Sequence, residues 1–228
     1  MKIEILQEII KKKSSKKRFA VLKNLSNGKS ELFELEKRLS DEFKVHKKDI
    51  ENYYNLQKNG IINETNIFIE NYTKPIEVII VGAVHIAQYL IEFSKNFNLE
   101  ITIIDPREYF IKKQNFENVK IINEWPETIL RQIQSDNNTA LVVLTHDPKI
   151  DDPALQFALK NKFFYIGALG SKKTHDKRCQ RLKEYGYTSE QINSIHGPIG
   201  LKLGGKSAPE IALSIISQLV LEINRLNV

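Results

Sequence analysis

The chain has 228 residues and a formal net charge of +6, with 41% apolar and 27% charged residues. This composition is ordinary for a globular protein, and the apolar runs are too short to predict a membrane-spanning helix. A single cysteine excludes an internal disulfide and a multi-cysteine metal site, and no apolar stretch typical of a secretory signal follows the N-terminal charges. We therefore expect a cytoplasmic protein without a membrane partner.

Residues 1–74 hold most of the net positive charge, with 16 Lys and Arg against 11 Asp and Glu. Part of the excess lies in KKKSSKKR, Lys11–Arg18, which we interpret as a solvated helix end and loop. Neither interleaved aromatic residues nor a known nucleic-acid signature accompanies this segment. No nucleic-acid partner is therefore expected.

The elements of this first part are short. After an amphipathic start comes the strand-like RFAVLKNL, and the turn signal SNGKS leads into ELFELEKRLSDEF, a short strand followed by helix-prone sequence. INETNIFIENY, Ile62 to Tyr72, alternates apolar with polar residues and predicts a further strand. Residues 1–74 are thus predicted to form a small α+β region.

From Ile76 onward, short strands rich in Val and Ile alternate with helical segments. The predicted strands are Glu77–Val81, Ile101–Ile104, Val119–Ile122, Leu141–Leu144 and Phe163–Ile166. The predicted helices are Ile86–Asn96, Pro126–Gln134, Pro153–Lys160, Lys172–Tyr185 and Pro209–Arg225, with Asp152 as the cap before Pro153. Continuous apolar strands are typical of a parallel sheet covered on both faces. We predict an α/β fold for residues 75–228, a doubly wound, mostly parallel, Rossmann-like sheet.

Polar and glycine residues follow the predicted strands at their carboxyl ends, where doubly wound sheets bind ligands. They are Gly82, His85, Asp105, Arg107, His146, Asp147, Gly167, Gly170, Ser171, Lys172 and His175, and His196 joins them further along the chain. Parallel strands bring such residues to one edge of the sheet. We expect a binding site there.

The stretch VIIVGAVHIAQYL resembles a dinucleotide-binding turn but departs from it. In the pattern G-x-G-x-x-G/A, Gly82 and Ala87 fill the outer positions, whereas Val84 replaces the glycine that lets pyrophosphate approach the backbone. Asp105, 23 residues after Gly82, has the spacing of the acid that binds a ribose 2′-OH. An NAD(P)-dependent oxidoreductase therefore remains an alternative.

The segment GALGSKKTHDKR, Gly167 to Arg178, predicts an anion site. Gly167 and Gly170 free the backbone, Ser171 can cap the following helix, and Lys172, Lys173 and Arg178 add positive charge nearby. No histidine pair has the i, i+4 spacing of a helical zinc motif, and Cys179 is expected to be buried. We assign no residue a catalytic or metal-binding role.

Five segments, in the same order, resemble the C-terminal Rossmann-type domain of the xanthine dehydrogenase accessory factor family (XdhC/CoxI). They are VGAVHIAQYL, IDPREYF, LTHDPKIDDPALQFAL, YIGALGSKKTHDKR and IHGPIGLKLGGKSAPEIALSII. Glycine stands in many members where this chain has Val84, and GAVHIAQ resembles a short subgroup. Residues 1–74 contain no cysteine, so sulfur transfer through a cysteine of that segment is not expected.

The resemblance implies a cofactor-binding chaperone rather than an enzyme. Such a protein binds molybdenum cofactor (molybdopterin) and assists its sulfuration and insertion into a xanthine dehydrogenase-type molybdenum hydroxylase. The implied partners are that hydroxylase and a sulfurtransferase or cysteine desulfurase, and a homodimer is left open. The phosphate of the cofactor suits a helix N-terminus, and its flat pterin suits the His and Asp side chains at the strand ends.

Overall fold

The computed structural model describes residues 3–14, 18–114, 116, 119–133 and 135–226. The chain separates into two compact units, the first ending at Lys74 and the second spanning Pro75–Leu226. Three residues of the basic segment Lys11–Arg18, numbers 15–17, lie outside the described residues, as do residues 227 and 228. None of the described helices combines the length and the apolar composition needed to cross a membrane.

The first unit is built on a four-stranded antiparallel sheet. Its strands are β1 (Phe19–Asn24), β2 (Ser30–Phe33), β3 (Gly60–Ile61) and β4 (Ile67–Tyr72), in the order β2-β1-β4-β3. Its helices are α1 (Ile3–Ser14), α2 (Asp41–Lys44) and α3 (Lys47–Asn55). The predicted α+β character of the described part of residues 1–74 is therefore observed.

Alternation along β1 explains why both faces of this small sheet are covered. Successive side chains of a strand point to opposite faces. Val21 accordingly packs in one apolar cluster with Ile9 of α1, whereas Leu22 packs in another with Ile50 of α3. The period of two that predicted the strand thus also divides the core of the unit.

The predicted strand Ile62–Tyr72 is wrong for its first five residues, because β4 begins at Ile67. Before it, the backbone N–H of Thr65 donates to the carbonyl of Ile62 at 3.1 Å, and Glu64 has a left-handed φ of 60°. Ile62 is nevertheless buried. A turn that contains one buried apolar residue therefore has the same apolar–polar alternation in its sequence as a strand.

The second unit contains a six-stranded parallel sheet. Its strands are β5 (Ile76–Val81), β6 (Leu99–Ile104), β7 (Lys120–Ile122), β8 (Thr139–Val143), β9 (Tyr165–Ala168) and β10 (Ile195–His196), in the order β7-β6-β5-β8-β9-β10. The pairings between these described strands are all parallel. The order reverses between β5 and β8, which is the switch point where doubly wound sheets bind ligands. The predicted Rossmann-like sheet is confirmed.

Helices cover both faces of this sheet, as the continuous apolar strands predicted. They are α4 (His85–Ser94), α5 (Glu108–Lys113), α6 (Pro126–Leu130), α7 (Pro148–Lys160), α8 (Lys172–Glu184), α9 (Ser189–Asn193) and α10 (Ala208–Leu226). Ile80 of β5 packs in one cluster with α4 and α10. Val81 packs in the other cluster with α6, α7, α8 and α9.

The start of α7 corrects the predicted helix Pro153–Lys160. The helix begins one Asp-Pro pair earlier, at Pro148, and the carboxylate of Asp147 caps it by accepting the N–H of Lys149 at 2.9 Å. Pro153 lies inside the helix. Asp152 is no cap, because its carboxylate accepts two hydrogen bonds from Arg181 at 2.5 and 2.9 Å. Both Asp-Pro pairs carry the same local signal, and packing selects the first.

Some short elements of the second unit have no counterpart in the sequence prediction. Strand β10 has two residues, paired with Ile166 and Gly167 of β9, and helices α5 and α9 are similarly short. Periodicity needs more residues than these elements contain. Helix α6 ends at Leu130 instead of continuing toward residue 134, which lies outside the described ranges.

Candidate functional site

The turn after β5 requires glycine at its first position. Gly82 has a φ of 119°, and a Cβ atom there would lie 2.9 Å from Cγ2 of Thr145, the second residue after β8. The N–H of Gly82 donates to the carbonyl of Ile104 at the end of β6. The turn therefore sits between the ends of three neighbouring strands, at the switch point of the sheet.

Asp105 braces this turn from inside the protein. Its carboxylate is fully buried and accepts hydrogen bonds from the N–H of Ala83 at 2.7 Å and from the backbone N–H of Arg107 at 2.9 Å. The guanidinium of Arg107 donates two more, from Nε at 2.9 Å and Nη2 at 2.8 Å. This hydrogen bonding raises the pKa of Arg107. In this arrangement Asp105 acts through the turn and Arg107, and it presents no free carboxylate to a ribose.

Val84 and His85 form the start of α4. Val84 occupies the N-cap position without a side-chain cap and packs, partly buried, against the core. His85 is exposed, with its Nδ1 3.0 Å from Oε1 of Gln88 and its ring edge-to-face with Tyr89. A β-branched side chain thus stands where a dinucleotide-binding turn has glycine, and His85 contacts its own helix.

The loop after β8 contains a strained histidine. His146 is exposed and has a φ of 62°, the left-handed region that non-glycine residues seldom adopt. Next to it, the hydroxyl of Thr145 donates to Oδ1 of the buried Asp151 at 2.6 Å, and Asp147 caps α7. The loop is therefore held on both sides of His146. Backbone strain of this kind concentrates at functional sites.

The glycine-rich segment after β9 divides into a packed part and an exposed part. A Cβ atom on Gly167 would overlap the side chain of Ile199, so this glycine serves close packing. Gly170 has a φ of 148° and leads into α8, where the hydroxyl of Ser171 accepts the N–H of Thr174 at 3.2 Å. Lys172 is exposed. Ser171 is the helix cap that the sequence predicted.

The ring of His175 lies against Gly197, the residue that follows His196. A Cβ atom on Gly197 would overlap the ring of His175, whose Nε2 lies 3.4 Å from Sγ of Cys179. The ring of His196 stacks on Tyr165 with centroids 4.7 Å apart. Burial lowers the pKa of both histidines, which favours the neutral imidazole. Their contacts are with core and loop residues of this chain, and Cys179 is partly buried rather than enclosed.

A pocket of about 290 Å³ opens between the N-terminal parts of α7 and α8, and we call it the α7–α8 pocket. Its charged and titratable lining residues are His146, Asp151, Lys173, Lys177, Arg178 and Arg181. Arg178 is only 2% exposed, and burial is the main cause that lowers its pKa. The pocket therefore combines exposed lysines with a cation that the fold has removed from water.

Sequence reasoning reached this pocket only in part. Of the twelve predicted site residues, His146 lines it, and Asp147 and Lys172 adjoin lining residues in the chain. Lys173 and Arg178, which the sequence placed near the anion site, line it as well. The pattern that would have added Lys177 and Arg181 is helical, because Lys173, Lys177 and Arg181 follow one another at i, i+4 and i+8 on one face of α8. Among the described residues, no group of three or more His, Cys, Asp or Glu is placed to hold a metal ion.

Five of the remaining predicted residues lie in two further groups. Gly82, Asp105 and Arg107 meet at the turn after β5, and the charges of Asp147 and Asp151 contribute to the raised pKa of Arg107. His175 and His196 are linked through Gly197, which follows His196 in the chain and lies against the ring of His175. His85 joins neither group, because its polar contact is within α4.

Known proteins are similar to this chain in sequence or in fold. A molybdenum cofactor insertion chaperone, PaoD from Escherichia coli, is 40% identical over 85 residues, covering 37% of this chain and 27% of PaoD. A protein from Bacillus subtilis, named as a probable xanthine dehydrogenase subunit, is 26% identical over 157 residues, covering 68% of this chain and 46% of the relative. This chain thus spans less than half the length of either relative.

A crystal structure of a xanthine dehydrogenase from Bacillus halodurans has the same fold, with a TM-score of 0.75 and 23% identity. The match covers 97% of this chain and 64% of that one. The family model described as the XdhC Rossmann domain matches residues 78–219, which is more than half of the chain. The glycine turn, the strand-end loops and α8 all fall within those residues, and the chain belongs to the XdhC family.

Proposed function

We propose that this protein is an accessory factor that binds molybdenum cofactor and assists its sulfuration and insertion into a xanthine dehydrogenase-type molybdenum hydroxylase. Membership of the XdhC family supports this, as does the similarity to PaoD, which is named a molybdenum cofactor insertion chaperone. The client hydroxylase is one partner, and a sulfurtransferase or cysteine desulfurase is a second. We place the protein in the cytoplasm, acting as a maturation factor without catalytic residues.

The observation that carries the proposal is the contrast between two parts of the carboxyl edge. At the switch point, Val84 occupies the place of the second motif glycine and Asp105 is engaged by Arg107. Nearby, the α7–α8 pocket offers positive charge from Lys173 and Lys177. A pterin that carries a phosphate suits such an edge better than a dinucleotide, which needs a bare turn and a free ribose-binding acid.

The residues present also suit the cofactor chemically. Its phosphate is an anion for which the α7–α8 pocket supplies cations. Its pterin is flat and forms hydrogen bonds, and the exposed His146 and the half-buried Asp147 supply polar side chains next to that pocket. The molybdenum dithiolene group supplies the reactive centre of the client enzyme once inserted. This chain's own residues bind and orient the cofactor.

A ligand competition tests the proposal. Purified protein is titrated, under anaerobic conditions, with molybdenum cofactor and separately with NADH and NADPH, with intrinsic fluorescence and calorimetry as readouts. We expect cofactor binding at least about a hundredfold tighter than binding of either dinucleotide, a difference of about 2.7 kcal/mol. Micromolar NADH binding without cofactor binding would refute the accessory role and favour an oxidoreductase.

Delivery to a client is tested separately. Cofactor-loaded protein is mixed with a cofactor-free xanthine dehydrogenase-type hydroxylase, and the recovery of hydroxylase activity is followed against free cofactor at the same concentration. We expect faster and more complete recovery with the loaded protein. Equal recovery in both reactions would leave a cofactor-binding protein that is not an insertion factor.

A further inference from the structure

We propose that the α7–α8 pocket is a binding site for a phosphate monoester dianion, anchored by the buried guanidinium of Arg178. Where the monoester is the phosphate of molybdenum cofactor, this inference rests on the function proposed above. It differs in position from the sequence expectation, which placed the phosphate on the N–H groups at the start of α8, at Gly170 and Ser171, with Lys172, Lys173 and Arg178 nearby. The pocket lies along the side of that helix and is lined by side chains.

Arg178 has donors to spare. Its Nη2 donates to the carbonyl of Leu169 at 2.9 Å, whereas Nε and Nη1 are buried without a hydrogen-bond partner anywhere in the described ranges. Buried N–H groups of a guanidinium are costly to leave unpaired. Because Arg178 lines the pocket, an anion bound there can supply acceptor oxygens that the protein does not.

The nearest carboxylate does not form a hydrogen bond with Arg178. Oδ2 of Asp151 lies 3.7 Å from Nη2 of Arg178, within ion-pair distance but beyond hydrogen-bond distance, and this oxygen has no hydrogen-bond partner within the described part of the chain. The other oxygen, Oδ1, is taken by the hydroxyl of Thr145. Burial raises the pKa of Asp151. The Arg178–Asp151 pair has no hydrogen bond, so Arg178 can still donate to an anion bound in the pocket.

The remaining charges favour a dianion. Lys173 and Lys177 are exposed on the pocket face of α8, whereas Arg181 is neutralised by its hydrogen-bonded pairing with Asp152. Within the described lining, the two lysines and Arg178 thus face a single carboxylate, that of Asp151. A phosphate monoester carries up to two charges near neutral pH.

The size of the pocket limits what it holds. At about 290 Å³ it lies at the lower end of ligand pockets, which run from about 300 to 1,000 Å³. It therefore suits a phosphate group rather than a whole pterin cofactor. The N–H of Thr174 is already taken by the hydroxyl of Ser171, so the helix terminus has one donor fewer for the anion. Side chains supply the site.

The test uses phenyl phosphate as the monoester and phenyl sulfate as a monoanion of similar shape. Calorimetric titrations compare the full-length wild type with Arg178→Met, Lys177→Ala and the control Lys183→Ala, an exposed lysine of α8 outside the pocket lining. We expect losses of phenyl phosphate affinity of about a hundredfold, about tenfold and less than about twofold, respectively. Phenyl sulfate is expected to bind at least about tenfold more weakly than phenyl phosphate to the wild type.

Two results would overturn the site. One is a folded Arg178→Met protein, judged by circular dichroism, that binds phenyl phosphate as the wild type does. The other is equal affinity of Lys177→Ala and Lys183→Ala for phenyl phosphate. If Arg178→Met does not fold, the comparison of these two lysine variants is the test of the site.

Titration with molybdenum cofactor then identifies the source of the phosphate. Parallel loss of cofactor and phenyl phosphate binding in Arg178→Met supports the site and assigns it to the phosphate of the cofactor. Loss of phenyl phosphate binding alone supports the site and assigns it to another monoester. A wild type that binds phenyl phosphate but not the cofactor supports the site and refutes the proposed function.

Discussion

Two buried charges at the same edge of the sheet have opposite surroundings. In the turn after β5, the carboxylate of Asp105 accepts four hydrogen bonds from described residues of this chain. In the α7–α8 pocket, the guanidinium of Arg178 donates to the carbonyl of Leu169, and two of its nitrogens are unpaired within the described residues. Both groups are at most 2% exposed, so burial does not distinguish them.

The difference is between a buried charge that holds a conformation and a buried charge that is able to bind a ligand. A buried charge whose hydrogen bonds are completed by its own chain holds a conformation, here the glycine turn and Arg107. A buried charge with spare donors remains costly until a ligand supplies acceptors. The turn that most resembles a dinucleotide motif is therefore the closed region, and the pocket beside α8 is the open one.

Replacement of Asp105 is expected to have the largest effect on stability. Asp105→Asn leaves Arg107 without its anionic partner and turns an N–H group toward one of the existing donors. We expect the free energy of unfolding to fall by about 3 kcal/mol, as measured by urea denaturation. Glu108→Gln is the control, because its exposed pair with Lys112 contributes less than about 1 kcal/mol. Equal losses in the two variants would show that Asp105 is not a brace.

Replacement of Asp151 tests the open region. Asp151→Asn removes the carboxylate that lines the α7–α8 pocket near Arg178, so affinity for phenyl phosphate is expected to rise about tenfold at pH 8. Burial raises the pKa of Asp151. Lowering the pH therefore protonates this carboxylate in the wild type and reduces the difference in phenyl phosphate affinity between the wild type and Asp151→Asn.

Titration of the phosphate itself is common to both proteins and cancels in the ratio of their affinities. The matched control is Glu184→Gln, an exposed acid at the end of α8 outside the pocket lining, which is expected to leave affinity unchanged. A rise in affinity at pH 8 no larger than that of the control would contradict the assigned role of Asp151.

The smallest expected effect on stability concerns His146. Glycine adopts the left-handed φ of 62° without steric cost, but the greater entropy of the unfolded glycine chain offsets that gain. The free energy of unfolding of His146→Gly should therefore lie within about 1 kcal/mol of that of the wild type. His146→Val, the matched control, forces a β-branched residue into this conformation and should lose about 1–2 kcal/mol. Thermal unfolding measures both variants.

The ligand readout sharpens the same comparison. Because His146 lines the pocket, both variants should bind phenyl phosphate several times more weakly than the wild type. If His146→Gly is as unstable as His146→Val, the histidine side chain holds the loop instead of serving a ligand.

The sequence by itself determined the doubly wound sheet, the need for glycine at position 82 and the edge of the sheet at which polar residues gather. These features follow from local patterns: apolar strands of a few residues, a glycine at the end of the first, and polar residues after successive strands. Family motifs in a fixed order added the XdhC assignment, which the match over residues 78–219 confirms.

Tertiary structure alone decided which charges are engaged and which are open. The spacing from Gly82 to Asp105 is the same whether the carboxylate binds a ribose or Arg107, and only packing places the guanidinium on it. Similarly, Arg178 belongs by sequence to a run of basic residues, and only the docking of α7 against α8 removes it from water. Burial and hydrogen-bond completion depend on contacts between residues distant in the chain, which no local pattern encodes.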